Sequence, residues 1–386
     1  MYINSKFVEI MKLFPREIFK ESVARHKGDR YAKNFSSYSH LIAMIYGHLS
    51  EANSLRNIEI GYNQHGTAHH HLQTNSIKRS TLSDANSRRN PQIFLDVASH
   101  IMSSVSRTLR KELSSIVKLI DSTSISLIGC GFDEWTKDNR TCQTQGLKLH
   151  LGYELTSKMP YEIEFSNANV NDITVSKEWP IEEGVIYVFD KGYYDYNWWN
   201  DIAQSGASFV TRLKSNSAVK VVKENSALGK NILADEEIVF TNLTPRGGKK
   251  NLYTNKLRRI TVDRPDKDTP IILVTNRFDL SAVTIANLYK QRWQIELMFK
   301  WLKQHLKIKK FIGKNENAVK IQIITALITY MLLAIYKRLS QTKSAMYEFL
   351  ILVKSTLFYN KQKNYYKEKQ RQSRFIAENQ LELCYV

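Results

Sequence analysis

The chain has 386 residues and a mass of 44.9 kDa, enough for more than one hydrophobic core. Its 56 Lys and Arg against 37 Asp and Glu leave a net charge of +19, which points to a polyanionic partner, while 42% apolar residues exclude a disordered or histone-tail-like chain. Cys130, Cys142 and Cys384, with no Cys-x-x-Cys, support neither a disulfide framework nor a cysteine-built zinc site and fit a reducing cytoplasm.

Met1 to Arg16 alternates apolar and charged residues, without the apolar run or small-residue cleavage site of a signal peptide, so no export is expected. From Ser39 to Glu51, Leu41, Ile42, Ile45, Tyr46 and Leu49 recur at helical spacing, and Ser50 to Gly61 gives a second short helix. His65, His69, His70 and His71 follow. His65 and His69 share a helix face, but Gly66 weakens that helix and no cysteine or acid completes a tetrahedral set, so zinc is not expected. Ser80 to Asp84 offers N-cap chemistry for a helix towards Arg88 and Arg89, and Pro91 opens another whose face is Phe94, Val97, Ile101, Val105 and Leu109. These elements predict a helical domain over residues 1–112.

The period then changes. Ile116 to Ile120, Leu147 to Leu155, Tyr161 to Phe165 and Val185 to Phe189 are short β-rich runs separated by turns. Tyr196 to Ser205 reads as a helix and Ala207 to Leu213 as a strand. Val219 to Asp268 reads as short strands around the Pro245-Arg-Gly-Gly turn, a β-rich insertion over about 214–270. Ile271 to Thr275 is a further strand, and one long helix is expected from Ser281 to Leu306. Ile321 to Tyr336 carries Gln322, Thr325 and Thr329 and is shorter than the roughly 20 residues of a membrane span, so it reads as a buried helix. The fold class is α/β, with a central domain over residues 113–345 and a basic helical extension over 346–386.

Asp121 and Asp190 each follow a run of β-formers. If their strands are parallel neighbours, both carboxylates project at the C-terminal ends, where open α/β sheets bind ligands and two acids can share a divalent cation. Alone, each is as well explained as a turn aspartate. On the long helix, Tyr289, Arg292, Glu296 and Lys303 fall within a stripe about 60° wide. Leu288, Ile295, Phe299, Leu302 and Leu306 form a docking face about 80° away. A glutamate there reaches the sheet edge, and the two cations suit phosphate oxygens. The plainer reading is a solvated face with an Arg292/Glu296 ion pair. Trp198 and Trp199 could stack on an unpaired base but read better as core residues. Glu162, Glu164, Glu182 and Glu183 read as solvated charge.

The segment Tyr289-Lys-Gln-Arg292-Trp-Gln-Ile-Glu296-Leu-Met-Phe-Lys-Trp-Leu-Lys303 carries Tyr-x2-Arg-x3-Glu-x6-Lys complete. In this it resembles the DDE transposases of bacterial insertion sequences, specifically the insertion-sequence-four family and its Tyr-Arg-Glu-Lys subgroup. Asp121-Ser-Thr, Gly146-Leu-Lys-Leu-His150, Asp190-Lys-Gly-Tyr193 and Val274-Thr-Asn276 are similar to the remaining family pattern. With Ser54-Leu-Arg56 and Ser80 to Asn86, the resemblance covers about residues 5 to 355.

The resemblance implies a ribonuclease-H-like catalytic domain with a β-rich insertion between the second Asp and the Glu helix, preceded by an all-helical DNA-binding domain. It implies that Asp121, Asp190 and Glu296 are the catalytic residues and hold two Mg2+ ions, with Mn2+ as a substitute, for two-metal phosphodiester chemistry. The implied activity is cut-and-paste transposition: cleavage at the element ends, through a hairpin in related members, then attack of the freed 3′-hydroxyl on target DNA. Tyr289, Arg292 and Lys303 would contact DNA at the cleaved end, with Lys148 and His150 in the same cleft. Lys78, Arg79, Arg88 and Arg89, clustered beside a capped helix, would recognise the terminal inverted repeats. The partners implied are double-stranded DNA and a second copy when two ends are synapsed, at the cytoplasmic nucleoid and away from any membrane. A metal-dependent nuclease on the same fold, or a non-catalytic DNA-binding relic or repressor, would share most of these features.

Overall fold

The computed structural model describes residues 5–110, 116–128, 131–132, 135–138, 145–241, 244, 250–265, 268–306 and 311–358. The three cysteines, the Pro245-Arg-Gly-Gly turn and the basic tail beyond 358 lie outside the described residues. The fold is mixed α/β. Its two compact units comprise the described residues within Met1–Val97 and Asn317–Val386, and those within Ala98–Glu316.

The first unit opens with α1 (Lys6–Lys12), α2 (Arg16–Arg25), α3 (Ser37–Leu49), α4 (Leu55–Asn63), α5 (Gly66–Leu72) and α6 (Arg79–Arg88), and α7 (Gln92–Arg110) begins in it. Serine caps start three of these: the hydroxyls of Ser5, Ser36 and Ser54 accept the N–H of Val8, Ser39 and Asn57. The expected cap at Ser80 is absent, because α6 starts at Arg79 and takes Ser80 to Asp84 into its interior. In α5, His69 stacks on Tyr62 and bonds its carbonyl, and His65 stacks on Phe358, so the histidines pack with aromatic rings.

The second unit continues with β1 (Ile116–Ser126), β2 (Lys137–Asp138), β3 (Gln145–Glu154), β4 (Met159–Asn167), α8 (Asp172–Ser176), β5 (Val185–Phe189), a 3-10 turn (Lys191–Tyr193), α9 (Tyr196–Gln204) and β6 (Ser208–Arg212). After these come β7 (Val219–Asn225), β8 (Ile232–Phe240), β9 (Leu257–Val262), β10 (Ile271–Thr275), α10 (Ala282–Gln291) and α11 (Trp293–His305). The strands form one sheet in the order β2-β3-β1-β5-β6-β10-β9-β8-β7, with β4 paired to β3. β1, β5 and β6 are parallel to one another, and the other pairings are antiparallel. Every residue of β5 is buried, as a strand covered on both faces requires. β7, β8 and β9, the expected insertion, extend this same sheet.

On one face α9 packs Trp198 and Trp199, 2% and 0% exposed, against Phe189 and Phe209. That places both indoles in the core, out of reach of a base. On β3, Gly152 lies at a bulge beside the packed Tyr161 ring, and a Cβ there would run into that ring. Gly152→Ala is therefore expected to cost about 1–3 kcal/mol, read as a lowered urea midpoint; an unchanged midpoint would contradict this packing.

The chain returns to the first unit with α12 (Glu316–Leu339) and α13 (Met346–Ser355). α12 is longer than the sequence suggests. At 24 residues it is long and apolar enough to cross a membrane by length and composition alone, yet 83% of its most apolar window is buried inside the protein. Polar groups within it are paired: His48 Nε2 and Thr325 Oγ1 are 3.0 Å apart, and the Tyr336 hydroxyl donates to Glu9 at 2.6 Å.

Candidate active site

β1 and β5 pair in parallel up to Ile120 opposite Phe189, so Asp121 and Asp190 are the next residues on two adjacent strands. Asp121 does not end its strand, as the sequence suggested. β1 runs on to Ser126 with β3 as its partner, and only the parallel pairing stops at Ile120. The Asp121 side chain accepts the Ser122 N–H at 2.9 Å, and the Asp190 side chain accepts the N–H of Gly192 in the 3-10 turn.

Glu296 comes from the helical segment beside β1. The single helix expected there is interrupted at Arg292, where the N–H of Arg292 and of Ile295 bond three residues back rather than four. The interruption sets the Arg292 guanidinium between two carboxylates, 2.6 Å from Glu296 and 3.6 Å from Asp121. Its Cζ lies 5.8 Å from the centre of the Tyr289 ring. Lys303, two turns beyond Glu296, reaches β1 and donates to Thr123 Oγ1 at 2.6 Å and to the Ser124 carbonyl at 2.9 Å. Asp121, Ser122, Thr123, Glu296, Lys300 and Lys303 line an open cleft of about 380 Å³.

Burial raises the Asp121 carboxyl to about 7; the Ser122 N–H and Arg292 oppose this, and the charges of Glu296 and Asp190 add to it. Burial works to lower Arg292, but Tyr289, Glu296 and Asp121 outweigh it, so its guanidinium holds its proton more firmly than usual. Arg292 is thus a cation drawn between Asp121 and Glu296. Three carboxylates are the hard oxygen donors that Mg2+ and Mn2+ prefer, so the donor chemistry fits a divalent ion. Among the described residues, no three His, Cys, Asp or Glu side chains stand close enough to hold an ion as they are. In this arrangement Arg292 supplies the positive charge.

Other basic residues are placed differently from expectation. Lys148 Nζ lies 2.9 Å from Asp172 Oδ1 and donates to the Val170 carbonyl at 2.7 Å. His150 is fully buried, its Nε2 2.7 Å from Ser166 Oγ, and burial pushes it down to about 4, so it is neutral at physiological pH. Here Lys148 Nζ and His150 Nε2 are taken up by partners within the protein. Arg89 is also withdrawn: it is buried, it donates to the Phe35 carbonyl, and it stands 3.6 Å from Asp29. Lys78, Arg79 and Arg88 are exposed at α6.

Asp172 and Lys300 escaped the sequence reading. Lys300 stands between Glu296 and Lys303, about 20° outside the motif stripe, and Asp172 opens a single-turn helix with too short a pattern to register. Glu182 also departs from expectation, pairing at 2.8 Å with Lys118, which is 1% exposed.

Known proteins resemble the chain in sequence. The family model described as transposase DDE domain matches residues 113–332, and a domain of unknown function (DUF4372) matches residues 3–72. The chain is 42% identical over 280 residues to "Putative transposase y4zB" of Sinorhizobium fredii, covering 72% of this chain and 76% of that one. It is 29% identical over 235 residues to "Probable transposase for insertion sequence element IS5377" of Geobacillus stearothermophilus, covering 60% of each. It is 27% identical over 276 residues to "Putative transposase for insertion sequence element IS4SA" of Synechocystis, covering 68% and 72%. Among solved structures, a piggyBac transposase synaptic complex with hairpin DNA aligns over 92% of this chain and 80% of that one, with a TM-score of 0.47 and 9% identity.

Proposed function

The chain belongs to the transposase DDE domain family, and on that premise we propose that it binds the terminal inverted repeats of an insertion sequence and moves the element by Mg2+-dependent cleavage and strand transfer. Within the family we place it in the insertion-sequence-four type, Tyr-Arg-Glu-Lys subgroup, with a ribonuclease-H-like catalytic domain. The observation that carries the reading is the position of Asp121 and Asp190 at the end of one parallel pairing, with Arg292 bridging Asp121 to Glu296.

Asp121, Asp190 and Glu296 are the residues that hold the ions. Two bound divalent ions supply activation of a water or DNA 3′-hydroxyl and stabilisation of the leaving oxygen. The protein's own part is to present DNA to them. Lys303 and Lys300, which line the cleft, meet backbone phosphates there, and Arg292, held beside Asp121 and Glu296 with Tyr289 next to it, meets a phosphate at the cleft's edge. Lys78, Arg79 and Arg88 at α6 contact the repeat, and two copies assemble when two ends are joined.

The test is end-labelled DNA carrying the segments that flank the reading frame, incubated in Mg2+ or in EDTA. Metal-dependent breaks at the repeat boundaries, followed by joining to target DNA, are expected. Breaks without joining would indicate a nuclease, and binding without breaks an inactive relic. A second expectation concerns the cations: Lys303→Ala or Arg292→Ala reduces the slope of log affinity against log salt by about one unit, as loss of one phosphate contact does. An unchanged slope would contradict the phosphate role.

A further inference from the structure

Asp172 is required by no part of the carboxylate arrangement, yet it touches the support of Asp121. It opens α8, after β4, and its Oδ1 accepts the Ser122 hydroxyl at 2.7 Å. Ser122 in turn gives its N–H to Asp121. The same Oδ1 lies 2.9 Å from Lys148 Nζ and 4.0 Å from Nδ1 of His150. Its other oxygen faces the turn after Asp190. A Cβ built on Gly192 would stand 3.8 Å from Asp172 Oδ2, in ordinary van der Waals contact, and 3.1 Å from Asp190 Oδ1. Tyr193, 2% exposed, closes the back of the cluster. Burial and the charges of Asp121, Asp172 and Asp190 keep its hydroxyl protonated.

We propose that Asp172 is a positioning residue for the metal site: through Ser122 it fixes the facing of Asp121, while its ion pair holds Lys148. Without it, the Ser122 hydroxyl loses its acceptor and Lys148 keeps only the Val170 carbonyl. This rests on the reading of Asp121, Asp190 and Glu296 as metal ligands. Partners that orient such ligands typically change metal affinity by about 10- to 100-fold. A merely structural ion pair, with Lys148 and Asp172 side chains 13% and 28% exposed, would leave metal affinity alone.

The test uses the full-length protein and Mn2+ alone, with free Mn2+ followed by electron paramagnetic resonance and no DNA present. Asp172→Ala and Asp172→Asn are expected to weaken Mn2+ binding by about 10- to 100-fold. Adding Lys148→Met to Asp172→Ala is expected to leave the loss in place, because the contact to Ser122 stays broken. Asp190→Asn serves as the reference for the metal reading itself. Wild-type affinity in folded Asp172→Ala, or full recovery in the double variant, overturns the positioning role of Asp172 while leaving the metal reading intact. If Asp190→Asn also binds as the wild type does, the metal reading fails and this role falls with it. Should Asp172→Ala not fold, Asp172→Asn and Ser122→Ala, which keep side-chain volume nearly constant, decide the question.

Discussion

Asp190→Asn and Glu296→Gln are each expected to lower metal-dependent cleavage of element-end DNA by roughly 1,000-fold, the scale of several kcal/mol of lost transition-state stabilisation. The substitutions keep shape and remove one negative charge, so a loss of that size is chemical rather than architectural. Binding of the same DNA is expected to persist or to tighten slightly, because a carboxylate facing phosphates has been neutralised. Arg292 separates the two variants further: Glu296→Gln removes its closer partner at 2.6 Å, whereas Asp190→Asn leaves both of its ion pairs in place. Cleavage at the wild-type rate by folded Asp190→Asn would refute its assignment as a catalytic carboxylate.

Arg258→Ala has the largest expected effect on stability, about 3–5 kcal/mol, because it strands a buried carboxylate. Arg258 of β9 donates to both oxygens of Asp235 on β8, at 2.9 Å and 2.6 Å, and the two side chains are 9% and 4% exposed. Burial pushes the Asp235 carboxyl up, but the hydrogen bond and charge of Arg258, helped by Asn225, hold it below the usual range. The sign follows from that depression. The pair's contribution is fully present above the unfolded aspartate pKa of about 4 and is lost as pH falls through the lower folded value. Urea midpoints at pH 7 and pH 3 measure it, and Arg258→Ala should narrow the difference between them. The double change Arg258→Met with Asp235→Leu is expected to recover most of the loss, since no charge is then left buried. A single-variant cost below about 1 kcal/mol would mean that the pair behaves as a solvated one.

Much of the sheet was legible because its strands carry their own signal. Val185 to Phe189 and Ile271 to Thr275 are short apolar runs flanked by polar residues, and the observed strands have those bounds. Pairing was legible only as a condition. Nothing local in Ile116 to Ile120 says that it lies beside Val185 to Phe189, or that β10 lies between β6 and β9, because those neighbours are set by packing across the whole unit. The spacing of Tyr289, Arg292, Glu296 and Lys303 placed them on one side of a helix, but it gave no warning that Arg292 interrupts that helix.

The basic residues were the least legible, because charge in a sequence carries no direction. Lys148 counted towards the DNA cleft and Arg89 towards the basic cluster beside α6. Each turns inward to an acid far along the chain, Asp172 and Asp29, and neither acid belongs to a recognisable pattern with its partner. Lys78, Arg79 and Arg88 remain exposed because α6 buries only Leu82, Ala85 and Asn86.

The central claim, that Asp121, Asp190 and Glu296 share bound divalent ions, is tested most directly by replacing Mg2+ with Fe2+ and generating hydroxyl radicals at the bound iron with ascorbate and peroxide. Backbone scission clustered at Asp121, Asp190 and Glu296, suppressed by excess Mg2+ and absent from Asp190→Asn, is the expected result. Scission elsewhere in the chain, or a pattern that Mg2+ does not suppress, would contradict it.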